Sequence, residues 1–418
     1  MTWAMAAQVA SSASNFAITL FVLAAASARE FAVFSVCFTT YQLAAHLGRY
    51  LAGTPILLLH SDGRRQSARQ EQAAVSVAVL VGCGASTATL LLGLGMGDGR
   101  AQFVVLATLL PFLLFQDAGR HLGLAKGVPQ VSASSDVLWL GLQLAASAGL
   151  FLAGNASAEN LLAAWGLSGG VAGLVFVRRL AIRPSFEGAP AWVAENRELL
   201  RRLLVEFLTS TSSYYVVLYA LPLVAGLAEL GHLRAAQTLI GPVIVLLLGG
   251  NSLGIPESVR ALGDTARLRR VALALGGALG LFCVAWGAGL YLLLPRFGPD
   301  FFPSSWATAR PLIPMLTAYA TAVGVAMAAT GGLRALGASR WIARARALGG
   351  LLTVATGIPA AAAIGALGTL SALALAEWLV AGASSVQLWR ASAAPGAGDA
   401  LAASAAGIAP GDPHDALS

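Results

Sequence analysis

The chain has 418 residues, of which 57% are hydrophobic and only 11% charged, and its mean hydropathy is +0.75. A soluble globular domain carries about 25% charged residues, so that class is excluded; a membrane β-barrel would show alternating segments of about ten residues, and none is visible. The composition predicts an all-α polytopic membrane protein. The net charge of +7 does not point to nucleic acid, because the arginines lie in short stretches between apolar runs, where they set orientation in the bilayer.

Apolar runs long enough to cross about 30 Å of hydrocarbon occur at 2–26, 32–59, 73–96, 101–124, 135–153 and 159–178. Further runs follow at 203–228, 232–255, 270–294, 309–330, 343–365 and 367–388. The first is read as a retained helix: it has no basic leader, and Gln8, Ser11, Ser12, Ser14 and Asn15 interrupt its apolar stretch. The segment 179–202 is polar and reads as a cytoplasmic linker between an N-terminal six-helix bundle, 1–178, and a C-terminal one, 203–388. The residues 389–418 are rich in Ala, Gly, Pro and Asp and are expected to form a disordered cytoplasmic tail.

Basic residues divide unevenly between the loops. One side carries Arg69, Lys126, Arg178, Arg202, Arg267, Arg334, Arg346 and many others, whereas the opposite side carries only Arg29, Arg100, Arg234, Arg296 and Arg310. The positive-inside rule therefore puts both termini in the cytoplasm. An alanine- and glycine-rich composition with Lys126 as the only lysine suggests a GC-rich bacterial genome, hence the bacterial cytoplasmic membrane.

Sliding the sequence by 199 residues sets Ser11–Ser12 on Ser210–Thr211, Ser14 on Ser213, Phe16 on Tyr215 and Glu30 on Glu229. Each half then opens with a hydroxyl-rich span and a short outer loop bearing Glu. With an even number of spans per half, such a repeat is parallel, about an axis along the membrane normal.

Within the second span, Thr39, Gln42, His46 and Arg49 recur at helical spacing. An arginine at that depth costs about 2.5–3.5 kcal/mol on insertion scales. Arg49 is therefore expected to face a watery cavity, where a planar guanidinium suits an anionic cargo such as phosphate. Gln8, Ser11, Ser12 and Asn15 of the first span, with Ser210 and Ser213 of the seventh, would line the same cavity and offer hydrogen bonds to cargo. Asp117, Arg120 and Asp136 form a candidate ion network or gate at the cytoplasmic ends of the fourth and fifth spans, with Lys126 or Arg120 as the partner of Asp136. Glu206 and Glu377 are intramembrane carboxylates and candidate coupling sites. Cys37, Cys83 and Cys283 match no metal motif. No Walker sequence and no nucleophile–base arrangement emerges, so neither a cofactor, a metal nor enzymatic activity is expected.

The residues Gln8, Ser11–Ser12, Asn15–Phe16, Glu30–Phe31, Phe34, Arg49 and Pro55, with Gln116–Asp117, Arg120, Ala125, Gly127, Pro129, Asp136 and Trp139, resemble bacterial O-antigen and teichoic-acid export proteins. These belong to the multidrug/oligosaccharidyl-lipid/polysaccharide exporter superfamily, and the resemblance runs over about residues 5–390. It implies two bundles around a cavity that alternates between membrane faces, a polyprenyl-pyrophosphate-linked glycan as cargo, Arg49 as its pyrophosphate anchor, and a glycan polymerase or glycosyltransferases as partners. The same fold serves cation-coupled antiporters of small amphipathic molecules. The first span lacks the acidic residue that many of those use, which leaves Glu206 and Glu377 as the carboxylates such an antiporter would need.

Overall fold

The computed structural model describes residues 2–61, 66–95, 97–243, 247, 258, 261, 264–293 and 306–393. Among the described residues there is no strand. The helices are α1 (Thr2–Ala25), α2 (Ala28–Gly48), α3 (Ala68–Leu94), α4 (Arg100–Ala125), α5 (Pro129–Leu152) and α6 (Ala158–Leu180). A short α7 (Ala189–Glu195) precedes α8 (Arg197–Glu206, resumed at Ser212–Val224), α9 (Leu227–Leu239), α10 (Thr265–Leu293), α11 (Ile313–Ala335) and α12 (Ser339–Ala393). Ten of these stretches are long and apolar enough to cross a membrane by length and composition. The expected eighth span, 232–255, lies partly outside the described residues. The eleventh and twelfth spans are the two arms of α12, which breaks at Ile364 and Gly365.

In hydrocarbon a helix satisfies its backbone polar groups within its own segment, and several hydroxyls likewise bond along their own helix. On α2, Ser35 donates to the Phe31 carbonyl (2.7 Å), Thr39 to Ser35 (2.7 Å) and Thr40 to Val36 (2.9 Å). α2 opens with a capping box, in which Ser27 accepts from the Glu30 N–H and Glu30 accepts from the Ser27 N–H. Small residues let the helices close on one another: Gly166 and Gly169 of α6 lie against Leu109 and Leu113 of α4, and Gly82 of α3 lies against Pro111 of α4.

Helices α1 to α6 pack among themselves, as do α8 to α12, and the two sets meet chiefly where α2 packs on α9, with α1 on α9 and α2 on α8. Ala32 and Gly231 touch near the starts of α2 and α9, where a Cβ on Gly231 would come within 3.3 Å of Ala32. Apolar residues of both sets, among them Phe34, Trp165, Leu218 and Leu316, form one continuous core.

The segment 179–202 is more than a tether. Ile182, Ala189, Trp192 and Leu200 bury against Ala73, Val75 and Phe176 of the first set, and α8 starts at Arg197 instead of 203. Apolar side chains spaced among the arginines drive this docking, and the charge count masked them. At the other end, α12 carries 389–393 as helix; the remainder of the expected tail lies outside the described residues.

Candidate functional site: a cavity between the two helix sets

α2 does not stay α-helical. A π-helical turn at Arg49–Gly53 joins its main stretch to Thr54–Ser61. A second π-helical turn, Phe207–Thr211, interrupts α8. Such turns insert one residue and re-aim the side chains beyond it, often at functional sites. The two face each other: the Tyr50 hydroxyl lies 3.1 Å from Thr211 Oγ1, and the Tyr50 and Phe207 rings are 5.5 Å apart.

Beside this contact lies a cavity of about 700 Å³. The first helix set lines it with Ser12, Asn15, Phe16 and Thr19 of α1 and with Gln42, His46 and Tyr50 of α2. The second set contributes Glu206, Ser210, Thr211, Ser213, Tyr214 and Tyr215 from α8, and Arg234, Gln237 and Thr238 from α9. Tyr319, Thr330 and Arg334 of α11 and Arg346, Thr353 and Glu377 of α12 complete its polar lining. Repeat-related positions face it from both sides, Ser12 with Thr211 and Phe16 with Tyr215.

Of the residues singled out in the sequence, Ser12, Asn15, Gln42, His46, Ser210, Ser213, Glu206 and Glu377 therefore share one cavity wall. Gln8, Ser11, Thr39 and Arg49 are not on it. Gln8 donates to Ser12 (3.2 Å) and accepts from Arg120 (2.6 Å). Ser11 is half-buried on α1, and Thr39 is buried with its hydroxyl bonded along its own helix. The row that faces the cavity is 42, 46 and 50, with a spacing of four, so Arg49 points about a quarter-turn away.

Arg49 instead closes a two-nitrogen fork on Asp117 of α4: Nε donates to Oδ2 at 2.9 Å and Nη2 to Oδ1 at 2.8 Å. The pair is one end of a network. Arg120 lies 3.1 Å from Asp136 and 3.8 Å from Asp117, and Gln116 donates to Asp136 at 2.9 Å. Asp117 and Arg120 of α4 and Asp136 of α5 thus come together, and Arg49 of α2 and Gln8 of α1 join them. Lys126 pairs with Glu71 of α3 at 2.6 Å and not with Asp136. Buried charges are retained when partnered and hydrogen-bonded, and this network ties α1, α2, α4 and α5 into a unit.

Sequence reasoning missed three arginines on the wall. Arg234, read as part of an outer loop, donates to Gln42 (3.3 Å) and stacks its guanidinium 4.1 Å above the Phe38 ring, while its buried Nε has no partner. Arg334 and Arg346, read as loop charges, also line the cavity. Arg346 supplies the partner that Glu377 needed, with Nη1 at 2.8 and 3.1 Å from the two carboxylate oxygens. The signal for Arg234 was available: Arg234, Gln237, Thr238 and Gly241 recur at helical spacing on one face.

No family model matches the chain, and no curated protein matches it. Solved structures do. A multidrug resistance MATE family transporter of the MOP superfamily in an inward-facing conformation aligns with a TM-score of 0.67 and 14% identity, covering 91% of this chain and 94% of that one. The outward-facing conformation of such a transporter gives 0.59 at 15% identity, over 94% and 93%. A MOP superfamily transporter from Pyrococcus furiosus, described as having a binding pocket of reversed polarity that suggests a different function, gives 0.59 at 14% identity over 96% and 95%. The chain has the fold of the MATE transporters of the MOP superfamily.

Proposed function

We propose that this chain is an alternating-access transporter of amphipathic molecules, with 1–178 and 203–388 rocking against each other about the cavity. The observation that carries this reading is the cavity itself: about 700 Å³, built from both helix sets, and lined by aromatic as well as polar groups, the mixture that an amphipathic ligand requires. Ser12, Asn15, Gln42, His46, Ser210 and Ser213 would offer it adaptable hydrogen bonds. The fold occurs in both inward- and outward-facing forms among its structural neighbours, which supports exchange of access.

Coupling to an ion gradient is assigned to Glu206. It lies on the cavity wall and has no ion pair or side-chain hydrogen bond among the described residues, whereas Glu377 is held by Arg346. An intramembrane carboxylate facing water is a natural cation site. The distribution of arginines supports a topology with both termini in the cytoplasm, and the alanine- and glycine-rich composition supports a bacterial inner-membrane location.

A second reading, translocation of a polyprenyl-pyrophosphate-linked glycan working beside a glycan polymerase or glycosyltransferases, is favoured by the three arginines on the wall. Its anion anchor would be Arg234, since Arg49 is committed to Asp117. The test is transport by the full chain in proteoliposomes under an imposed proton or sodium gradient. Rhodamine 6G and a fluorescent alkyl phosphate would serve as cargo. Gradient-driven movement of either, reduced about tenfold or more by Glu206→Gln, is the expected result. Inert amphiphiles together with leaflet transfer of a lipid-linked oligosaccharide would replace the first reading by the second.

A further inference from the structure

The protein makes two kinds of buried arginine–carboxylate contact, and they differ in a way that suggests different jobs. Arg49 holds Asp117 through two nitrogens of its fork, Nε and Nη2, the geometry that extracts most from a guanidinium–carboxylate pair. Arg346 holds Glu377 through Nη1 alone, which bridges both carboxylate oxygens. Nε and Nη2 of Arg346 carry no hydrogen bond to protein among the described residues. The Arg346 and Glu377 side chains are 33% and 13% exposed, much like Arg49 and Asp117 at 32% and 10%, but only the Arg346–Glu377 pair lines the cavity. Both belong to α12, one on each side of its break at Ile364 and Gly365.

A single-nitrogen contact beside open space is one that an incoming anion can take over. A phosphate or carboxylate head group could engage the free edge of Arg346, complete the fork there, and displace Glu377. The nearby wall is otherwise uncharged or basic: Tyr319 and Arg334 on α11, Tyr214 and Tyr215 on α8, and Arg234 on α9. Glu206 is the other carboxylate of the wall. We propose that Glu377 is an internal stand-in for the anionic head group of the cargo: it occupies Arg346 when the cavity is empty and yields it when a phosphate-bearing ligand enters. This rests on the transport reading above and gives that cargo its charge.

The consequence runs against the usual effect of deleting a polar wall residue. Glu377→Gln should tighten anion binding, because a competitor is removed and Arg346 is kept. The test is isothermal titration of the full chain in detergent with dodecyl phosphate, inorganic phosphate and dodecyltrimethylammonium. The wild type is compared with Glu377→Gln, Arg346→Gln and the double variant. We expect Glu377→Gln to raise dodecyl phosphate affinity about tenfold, the worth of one charge-assisted hydrogen bond, and the double variant to lose that gain. Glu377→Asp, whose shorter side chain withdraws from Arg346, should show a smaller gain and serves if Glu377→Gln does not fold. Equal tightening for inorganic phosphate would support the site and make the cargo a soluble anion; tightening for dodecyl phosphate alone would support it with a lipid-like one. An unchanged or weakened affinity in a folded Glu377→Gln overturns the proposal. Binding of dodecyltrimethylammonium alone overturns it and leaves amphipathic transport standing, whereas failure of both amphiphiles to bind any variant sinks both.

Discussion

Tyr215 of α8 and His46 of α2 share a hydrogen bond of 2.9 Å, between Oη and Nδ1, across the boundary of the two helix sets. It is one of a series. Tyr219 donates to Thr40 at 2.7 Å on one side of it, and Tyr50 meets Thr211 at 3.1 Å on the other. As the numbers rise on α2 they fall on α8, so the two helices run antiparallel and are joined by polar rungs. Any motion that parts the sets along this line breaks all of the rungs.

Removing one rung should therefore shift the balance between joined and parted states. A net hydrogen bond is worth about 1 kcal/mol, which is roughly a fivefold change in a two-state ratio. Spin labels at the exposed positions Ala191 and Ala343 would report it. Tyr215→Phe is expected to enlarge the population at the longer distance, and Tyr215→Phe with Tyr50→Phe to enlarge it further. Identical distance distributions in all three proteins would show that the rungs do not hold the seam.

Arg49 and Asp117 predict a stability effect before a binding one. Breaking a buried pair from one side leaves an uncompensated charge and costs about 3–5 kcal/mol. Asp117→Asn and Arg49→Gln should each lower the thermal unfolding midpoint in detergent sharply, and the double variant should recover part of the loss. A folded Arg49→Gln with an unchanged midpoint and no cargo binding would return Arg49 to the role that its spacing suggested.

That contrast marks what the sequence could and could not reveal. The spans were legible because a bilayer demands long apolar runs, and the faces bearing Ser12, Asn15, Gln42, His46, Ser210 and Ser213 were legible because helical periodicity groups them. Pairing was not. Asp117 is 68 residues from Arg49, and nothing in local spacing says which carboxylate a buried arginine will find. Nor does periodicity foresee a π-helical turn, which begins at Arg49 itself. Arg234 escaped because it stands two residues inside the expected span 232–255 and was counted with the outer-side charges, whereas the helix already begins at Leu227 and carries it onto the cavity wall.

Glu229 offers a separate test of the break in α12. The second arm begins at Ala366, whose N–H donates to Glu229 Oε2 at 2.7 Å. Gly365 just before it has φ 60° and ψ −138°, a region that only glycine enters freely. Glu229 thus caps a distant helix from α9, while Glu30, its counterpart under the 199-residue shift, caps its own. Glu229→Ala should cost about 1 kcal/mol, the usual worth of a helix N-cap. Gly365→Ala should cost more, because a Cβ there adds backbone strain and meets the Glu229 carboxylate. Thermal unfolding of the two variants and their combination would separate the effects: relief of the crowding makes the combination less than additive, and strict additivity would show that the contact carries no energy.

Arg234 lines the cavity without a carboxylate partner among the described residues, and unlike Arg334 it is held there by specific contacts. Its guanidinium is held by the Phe38 ring and by Gln42, contacts that fix its plane without neutralising it. An arginine kept charged and oriented beside a cavity is poised for an external anion. Arg234→Ala should weaken dodecyl phosphate binding about tenfold or more, yet lower the unfolding midpoint less than Arg49→Gln does, since no buried carboxylate is orphaned. Arg234→Lys should recover only part of the affinity, because an ammonium cannot reproduce a planar fork stacked on Phe38. If Arg234→Ala instead destabilises the protein as severely as Arg49→Gln and spares anion binding, Arg234 is a packing residue of the seam, and the anionic cargo must be held by Arg346 and Arg334 alone.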